Sequence, residues 1–151
     1  MRMSLRDVAP DGYQAVVDLN TYVSASVDAR TLALIKVRAS IVNGCSYCTD
    51  MHSSQALSEG EQIRRLVAVA AWRDAPFFTQ RERTALALTD AVTHLAPGDH
   101  GASPGGVPDD VWAQARAHWS EREVADLILA IGTINLWNRI AVSTHMELPG
   151  L

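Results

Sequence analysis

Lysine is nearly missing from this chain: of its 13 Lys and Arg residues only Lys36 is a lysine. Against 17 Asp and Glu they leave a formal net charge of -4 over 151 residues. Basic charge so sparse and dispersed offers no field for phosphates, which argues against nucleic acid as a partner. No run of 18 apolar residues suggests a membrane span. Met1 to Ser26 carries Asp7, Pro10, Asp11 and Asp18 where a signal peptide would hold a continuous apolar core, so a cytoplasmic protein is expected. Strand-like alternation is scarce, and neither an internal repeat nor a low-complexity tract is seen. Cysteine occurs only twice, and in a reducing compartment a closely spaced pair points to catalysis or metal binding before it points to a structural staple.

What is present is apolar material: 48% of the residues are hydrophobic and 20% charged, enough for one soluble domain over residues 1–151 with its own core. Apolar residues recur every three or four positions, which predicts an all-α fold, a single-domain bundle of six to seven helices. The first helix is expected over Asp11 to Ser24. A second, from Asp28 to Val42, buries Leu32, Ile35, Val37 or Ala39, and Ile41 and turns Arg30, Lys36 and Arg38 to water. Asn43-Gly44 breaks it. A third spans Cys45 to Leu57. Capping boxes at Ser58-x-x-Glu61, Thr79-x-x-Glu82 and Ser120-x-x-Glu123 open three more, and Asp109 to His118 makes a short one. The helix from Thr79 carries Leu86, Leu88, Val92 and Leu95 and ends before Ala96. Residues 97–108, rich in Gly and Pro, read as a loop. The last helix is apolar nearly all round, so a homo-oligomer is expected.

Both cysteines lie in one segment, Asn43 to His52. On a helix starting near Cys45, residues three and four apart are neighbours, so Cys45 faces Cys48 and Cys48 faces His52. A thiol reacts as its thiolate. The unpaired N–H groups of a helix start favour an anion on either sulfur, whereas His52 selects Cys48. Cys48 is therefore read as the attacking sulfur and Cys45 as its resolving partner, with a peroxide O–O bond as the target and a disulfide as the product. Two other readings stand beside this one. Cys45, Cys48 and His52 supply three zinc ligands, with His94, His100 or His145 as the fourth; or the cysteines are small core residues beside a satisfied histidine. Tyr47 either lines a peroxide entrance or packs its ring with the hydroxyl at the surface. Trp72, Trp112, Trp119 and Trp137 are expected in core or interface, and Arg139 on a carboxylate or on helix-end carbonyls.

The run from Arg38 to His52, RASIVNGCSYCTDMH, closely resembles the core motif of the alkylhydroperoxidase AhpD-like proteins in the carboxymuconolactone decarboxylase superfamily. The segments Ala70 to Leu88 and Ile134 to Arg139 resemble parts that follow in that family, so the likeness covers roughly Asp28 to Glu147. It implies an all-helical fold assembled as a trimer or hexamer. It also implies reduction of an organic hydroperoxide by a cysteine pair that an external dithiol protein recycles, with no cofactor and no metal. By the same resemblance Cys48 is the peroxidatic cysteine, Cys45 the resolving one and His52 part of the proton relay.

One position departs from the pattern. The family has a glutamate twelve residues before the first cysteine, and that position is Ala33 here. Glu59, Glu61 and Asp50 are the carboxylates near in sequence that could replace it, Asp50 falling away from the Cys48–His52 side and the two glutamates past the helix end; a residue of a neighbouring subunit is a further source. Cys48 is accordingly expected to be less acidic, and slower toward peroxide, than in relatives with the complete pattern. The competing functions are a decarboxylase or lactone-ring enzyme like the superfamily's namesake, which would not need the cysteine pair, and a non-enzymatic redox-sensing or ligand-binding oligomer.

Overall fold

The computed structural model describes residues 1–95 and 106–148, and these form eight α-helices with no strand among them. They are α1 (Leu5–Val8), α2 (Pro10–Ser26), α3 (Ala29–Val42), α4 (Ser46–Ser58), α5 (Ile63–Ala68), α6 (Gln80–Thr93), α7 (Asp109–His118) and α8 (Glu121–Thr144), with one 3₁₀ turn at Val69–Ala71. The one helix beyond the expected six to seven is α1, a single turn that buries none of its residues and so leaves no apolar period to read. The larger part of the expected loop, and His100 within it, lies outside the described residues.

Local chemistry sets most boundaries. Asp28 caps α3 by accepting from Thr31 N–H at 3.0 Å. Thr79 with Glu82 and Ser120 with Glu123 form complete capping boxes at the starts of α6 and α8. The box expected at Ser58 does not form. Ser58 belongs to the end of α4 and donates to Gln55 O at 2.7 Å, while the Glu61 carboxylate accepts from Gln62 N–H at 2.7 Å and from Arg65 Nε at 3.0 Å. Arginine within reach outcompetes the neutral Ser58 backbone N–H for the carboxylate, and α5 starts later, at Ile63.

Helix α3 is the axis of the bundle, packed against α4, α6 and α8. One core joins Val23, Ile35, Leu88, Leu127, Ile131 and Ile134 with Cys45 and Cys48; a second joins Leu34, Val37, Leu66, Trp72, Phe78 and Leu86. Since α3 is enclosed on several sides, the expectation that Lys36 and Arg38 face water is corrected. Lys36 is 8% exposed, and the Arg38 guanidinium is turned inward onto Asp90. Ile41 is only half-buried and Leu95 is exposed. Helix α8 is long and apolar enough to cross a membrane by length and composition, yet Leu127, Ala130, Ile131, Ile134 and Asn138 lie wholly inside the protein. Trp72 and Trp119 are buried and Trp137 half-buried, whereas Trp112 is exposed.

Asp90 of α6 is the electrostatic tie of the second core. It takes Arg38 in a two-point pair, Nε–Oδ1 at 2.6 Å and Nη2–Oδ2 at 3.2 Å, and also accepts from Arg73 at 2.7 Å and Trp72 Nε1 at 3.2 Å. Those donors hold its carboxyl below the usual range even though burial pushes the other way. Removing it strands the Arg38 charge. Asp90→Ala is expected to cost about 3–5 kcal/mol in urea unfolding, while Arg81→Ala, at an exposed pair with Glu123, costs about 1 kcal/mol or less; equal costs would contradict this account.

Candidate functional site

The turn between α3 and α4 positions both sulfurs. Gly44 has φ +65°, the left-handed conformation that glycine adopts without a Cβ penalty. Gly44 N–H donates to Ile41 O at 3.1 Å and Cys45 N–H to Ser40 O at 2.9 Å, the paired bonds of a Schellman ending. Cys45 thereby closes α3 and caps α4, its Sγ accepting from Cys48 N–H at 3.3 Å. The free N–H at the helix start is thus directed to Cys45, whereas Cys48 sits inside the first turn. Both cysteines are unbonded thiols and both are buried.

The environment of Cys48 is dry. Burial pushes its thiol up to about 12, the neighbouring Cys45 adds to the rise, and a side-chain hydrogen bond from Asn138 pulls against it. Asn138 is wholly buried on α8 and belongs to a relay of amides: Asn43 Nδ2 donates to Asn138 Oδ1 at 2.8 Å and to Asn135 Oδ1 at 3.0 Å, and Asn138 Nδ2 donates to Ser40 Oγ at 3.0 Å. Sequence reasoning did not single out Asn138. Its signal was an Asn-x-x-Asn pair inside an otherwise apolar helix, since a buried amide must find partners.

His52, one turn beyond Cys48, is 7% exposed. Burial first, and the Lys36 charge second, lower its pKa to about 4, so the ring is neutral at physiological pH. Cys48 and His52 line one cavity of about 340 Å³, together with Tyr13, Lys36, Tyr47 and Trp137 among others. Tyr13 meets Trp137 edge to face at 5.4 Å. Tyr47 is half-buried against the core and also borders a second cavity of about 330 Å³, which the buried Cys45 lines with Gly44, Ser46, Val142 and His145. Each sulfur therefore has its own cavity.

Behind His52 lies a third, of about 130 Å³, lined by Ala33, Lys36, His52 and Glu59 among others. Of the three carboxylates considered for the missing glutamate, only Glu59 borders this space. Glu61 is occupied by Arg65, and Asp50 is exposed. Of the other histidines weighed as a fourth ligand, His94 bonds Asp90 O through Nδ1 at 2.9 Å, and His145, which lines the Cys45 cavity, ends α8 in the left-handed conformation. Among the described residues no three His, Cys, Asp or Glu side chains group to hold a metal. Arg139 Nη1 donates to Asn135 O at 2.9 Å and Asn135 Oδ1 at 3.0 Å, on its own helix.

The model of the carboxymuconolactone decarboxylase family matches residues 10–91. An uncharacterized Bacillus subtilis protein, YdfG, is 36% identical over 143 residues, 94% of this chain and 92% of its own. A solved structure from Agrobacterium tumefaciens superposes with a TM-score of 0.91 at 38% identity, covering 99% of both chains; that protein is of unknown function, with a provisional description as the antioxidant-defence protein AhpD. The debrominase Bmp8 shares the fold, with a TM-score of 0.79 at 20% identity over 93% of this chain and 73% of its own. The chain belongs to the carboxymuconolactone decarboxylase family, and its fold is AhpD-like.

A histidine held neutral by burial makes stability depend on pH. Because the His52 pKa is lowered from 6.5 to about 4, the unfolded chain binds the extra proton between those values. Stability is complete above about pH 6.5 and falls as the pH drops toward 4. We expect wild type to lose about 2 kcal/mol between pH 7 and pH 5 through this residue, and His52→Asn to lose correspondingly less in paired urea titrations; identical losses would remove the assignment.

Proposed function

We propose that the protein is a thiol-dependent peroxidase of organic hydroperoxides, in which Cys48 attacks, Cys45 resolves, His52 handles the proton, and an external dithiol protein restores the pair. The observation that carries this reading is the sharing of one cavity by Cys48 and His52, with Cys45 one helical turn away as the cap of the same helix. Family membership and the provisional antioxidant description of the Agrobacterium relative support it.

The chemistry balances as follows. The Cys48 thiolate attacks the terminal peroxide oxygen, the O–O bond breaks, and its electron pair leaves on an alkoxide that takes a proton to become the alcohol. Cys48 is then a sulfenic acid. The Cys45 sulfur attacks that sulfur, its proton and the sulfenic hydroxyl leave as water, and a disulfide remains. Two electrons and two protons from the dithiol protein return both thiols.

Magnitudes decide how the thiolate arises. With Cys48 at about 12 and His52 at about 4, direct transfer from thiol to imidazole is unfavourable by roughly eight powers of ten. The thiolate therefore comes from loss of the proton to solvent, and the neutral His52 ring serves the departing oxygen as a hydrogen-bond donor fed from water. Such a thiol is a slow one, as expected from the sequence, but burial now stands beside Ala33 as a cause.

The working form is a homo-oligomer in this reading, a trimer or hexamer, because α8 leaves Leu129, Leu136 and Val142 between 40% and 49% exposed. Sedimentation of a species no larger than one chain would remove that part alone.

For the chemistry, the test is a thiol count with intact mass on reduced protein after one equivalent of cumene hydroperoxide. Wild type should lose both thiols to an intramolecular disulfide, Cys45→Ser should stop at a trappable sulfenic acid, and Cys48→Ser should be inert. The second-order rate should climb about tenfold per pH unit from pH 6 to 9 without levelling. A plateau near neutrality would overturn the buried-thiol account, and unchanged thiols would overturn the peroxidase.

A further inference from the structure

The cavity beside Cys48 has an electrostatic peculiarity that peroxide reduction does not use. Its wall is aromatic and apolar through Tyr13, Tyr47, Trp137 and Met146, suited to an organic skeleton. Among the residues that line it Lys36 is the one charged group, since His52 is neutral and no Asp or Glu reaches it. Lys36 is more than nine-tenths buried, yet among the described residues its ammonium makes no hydrogen bond and no ion pair within 4 Å. The acid that acts on it is Glu59, an exposed residue that lines the smaller cavity behind His52 with it, and whose pull does not offset the burial.

The half-buried Arg38 and Arg65, by contrast, are paired with carboxylates: Arg38 with Asp90, Arg65 with Glu82 and Glu61. The ammonium sits in a largely buried side chain that lines the cavity, where it offers its charge to an incoming anion. Lysine is also a compact point charge with three donors on a flexible stem, able to follow one carboxylate, where the other sites use the fixed fork of arginine.

We propose that this cavity binds organic carboxylates, with Lys36 holding the carboxylate and the aromatic wall holding the carbon skeleton, so that the hydroperoxides reduced at Cys48 are carboxylate-bearing ones. Lys36 is then a specificity-determining residue. Binding of the carboxylate stands on the cavity alone, and the step from carboxylate to hydroperoxide rests on the peroxidase reading above. Glu59, as the only acid acting on the ammonium, competes with the ligand from behind.

The test is calorimetric titration of reduced wild-type protein, without peroxide, with 3-phenylpropionate and with 3-phenylpropan-1-ol, which share a skeleton and differ in charge. The acid should bind at least about tenfold more tightly, the margin of a charge-assisted hydrogen bond. Lys36→Met should reduce the acid to the affinity of the alcohol, Lys36→Arg should keep part of the preference, and Glu59→Gln should strengthen the acid. Equal binding of acid and alcohol by wild type, absence of binding by the acid, or a preference that survives Lys36→Met would each overturn the inference. The wild-type comparison stands even if Lys36→Met fails to fold. Oxidation of the thiol pair by neutral cumene hydroperoxide without an acid preference would sink this inference and spare the peroxidase. Tight acid binding with inert thiols would do the reverse.

Discussion

The buried amide of Asn138 is the constraint on which the site depends. It receives Asn43, the residue that ends α3, and donates to Ser40 one turn earlier, so α8 holds the last turn of α3 at two points. Gly44 and Cys45 follow at once, and their backbone bonds leave no freedom in where α4 begins. The same amide reaches the Cys48 sulfur. One apolar residue at this position would leave Asn43 and Ser40 unsatisfied inside the core, each at a cost of about 1–3 kcal/mol, and would remove the only neutral donor that favours the Cys48 thiolate. One side chain far from it in sequence thus helps fix the position of the sulfur and favours its thiolate against the larger effect of burial.

The frame around that corner is fastened differently, by arginine. Arg38 leaves α3 on the side opposite the Asn138 relay and meets Asp90 of α6, while Arg65 joins α5 to the Glu82 that caps α6 and to Phe77 O. Arg83 adds carbonyls of Trp72 and Arg73. Planar guanidinium groups can satisfy carboxylates and several carbonyls at once, which lets the segment from α5 to α6 fold without long helices. These ties lie on the second core, whereas the sulfurs belong to the first. Charge holds one side of α3, and the other is kept almost free of it apart from Lys36.

That division explains which features could be read in the sequence. Caps are local: Asp28, Thr79 with Glu82 and Ser120 with Glu123 act within four residues, and α7 and the start of α4 were legible for the same reason. The Ser58 box failed because Arg65, four residues on, and Arg30, brought in by the fold, compete for Glu61. Lys36 was misread because a helix packed on three others has no water-facing side, a property of the bundle and not of the periodicity. Asn138 joins Cys48 across some ninety residues of chain, and no local pattern announces such a contact. The Cys45, Cys48 and His52 grouping was legible as spacing, but its electrostatics were not, because desolvation is a property of what packs around it.

Desolvation in turn sets the balance between the two half-reactions. Cys48 opens on one cavity and Cys45 on the other, with Tyr47 between them, so in the proposed cycle a dithiol reaches the disulfide most directly at Cys45. Attack there expels Cys48 as the leaving thiolate, and a thiol raised to about 12 leaves slowly. The burial that withholds the nucleophile from peroxide therefore also slows its release during reduction. Both steps speed up together only if something moves charge or water toward Cys48, and the sole groups placed to do so are the Asn138 amide and the contents of the cavity it shares with Lys36 and His52. Reactivity in this fold is limited by how dry one sulfur is kept.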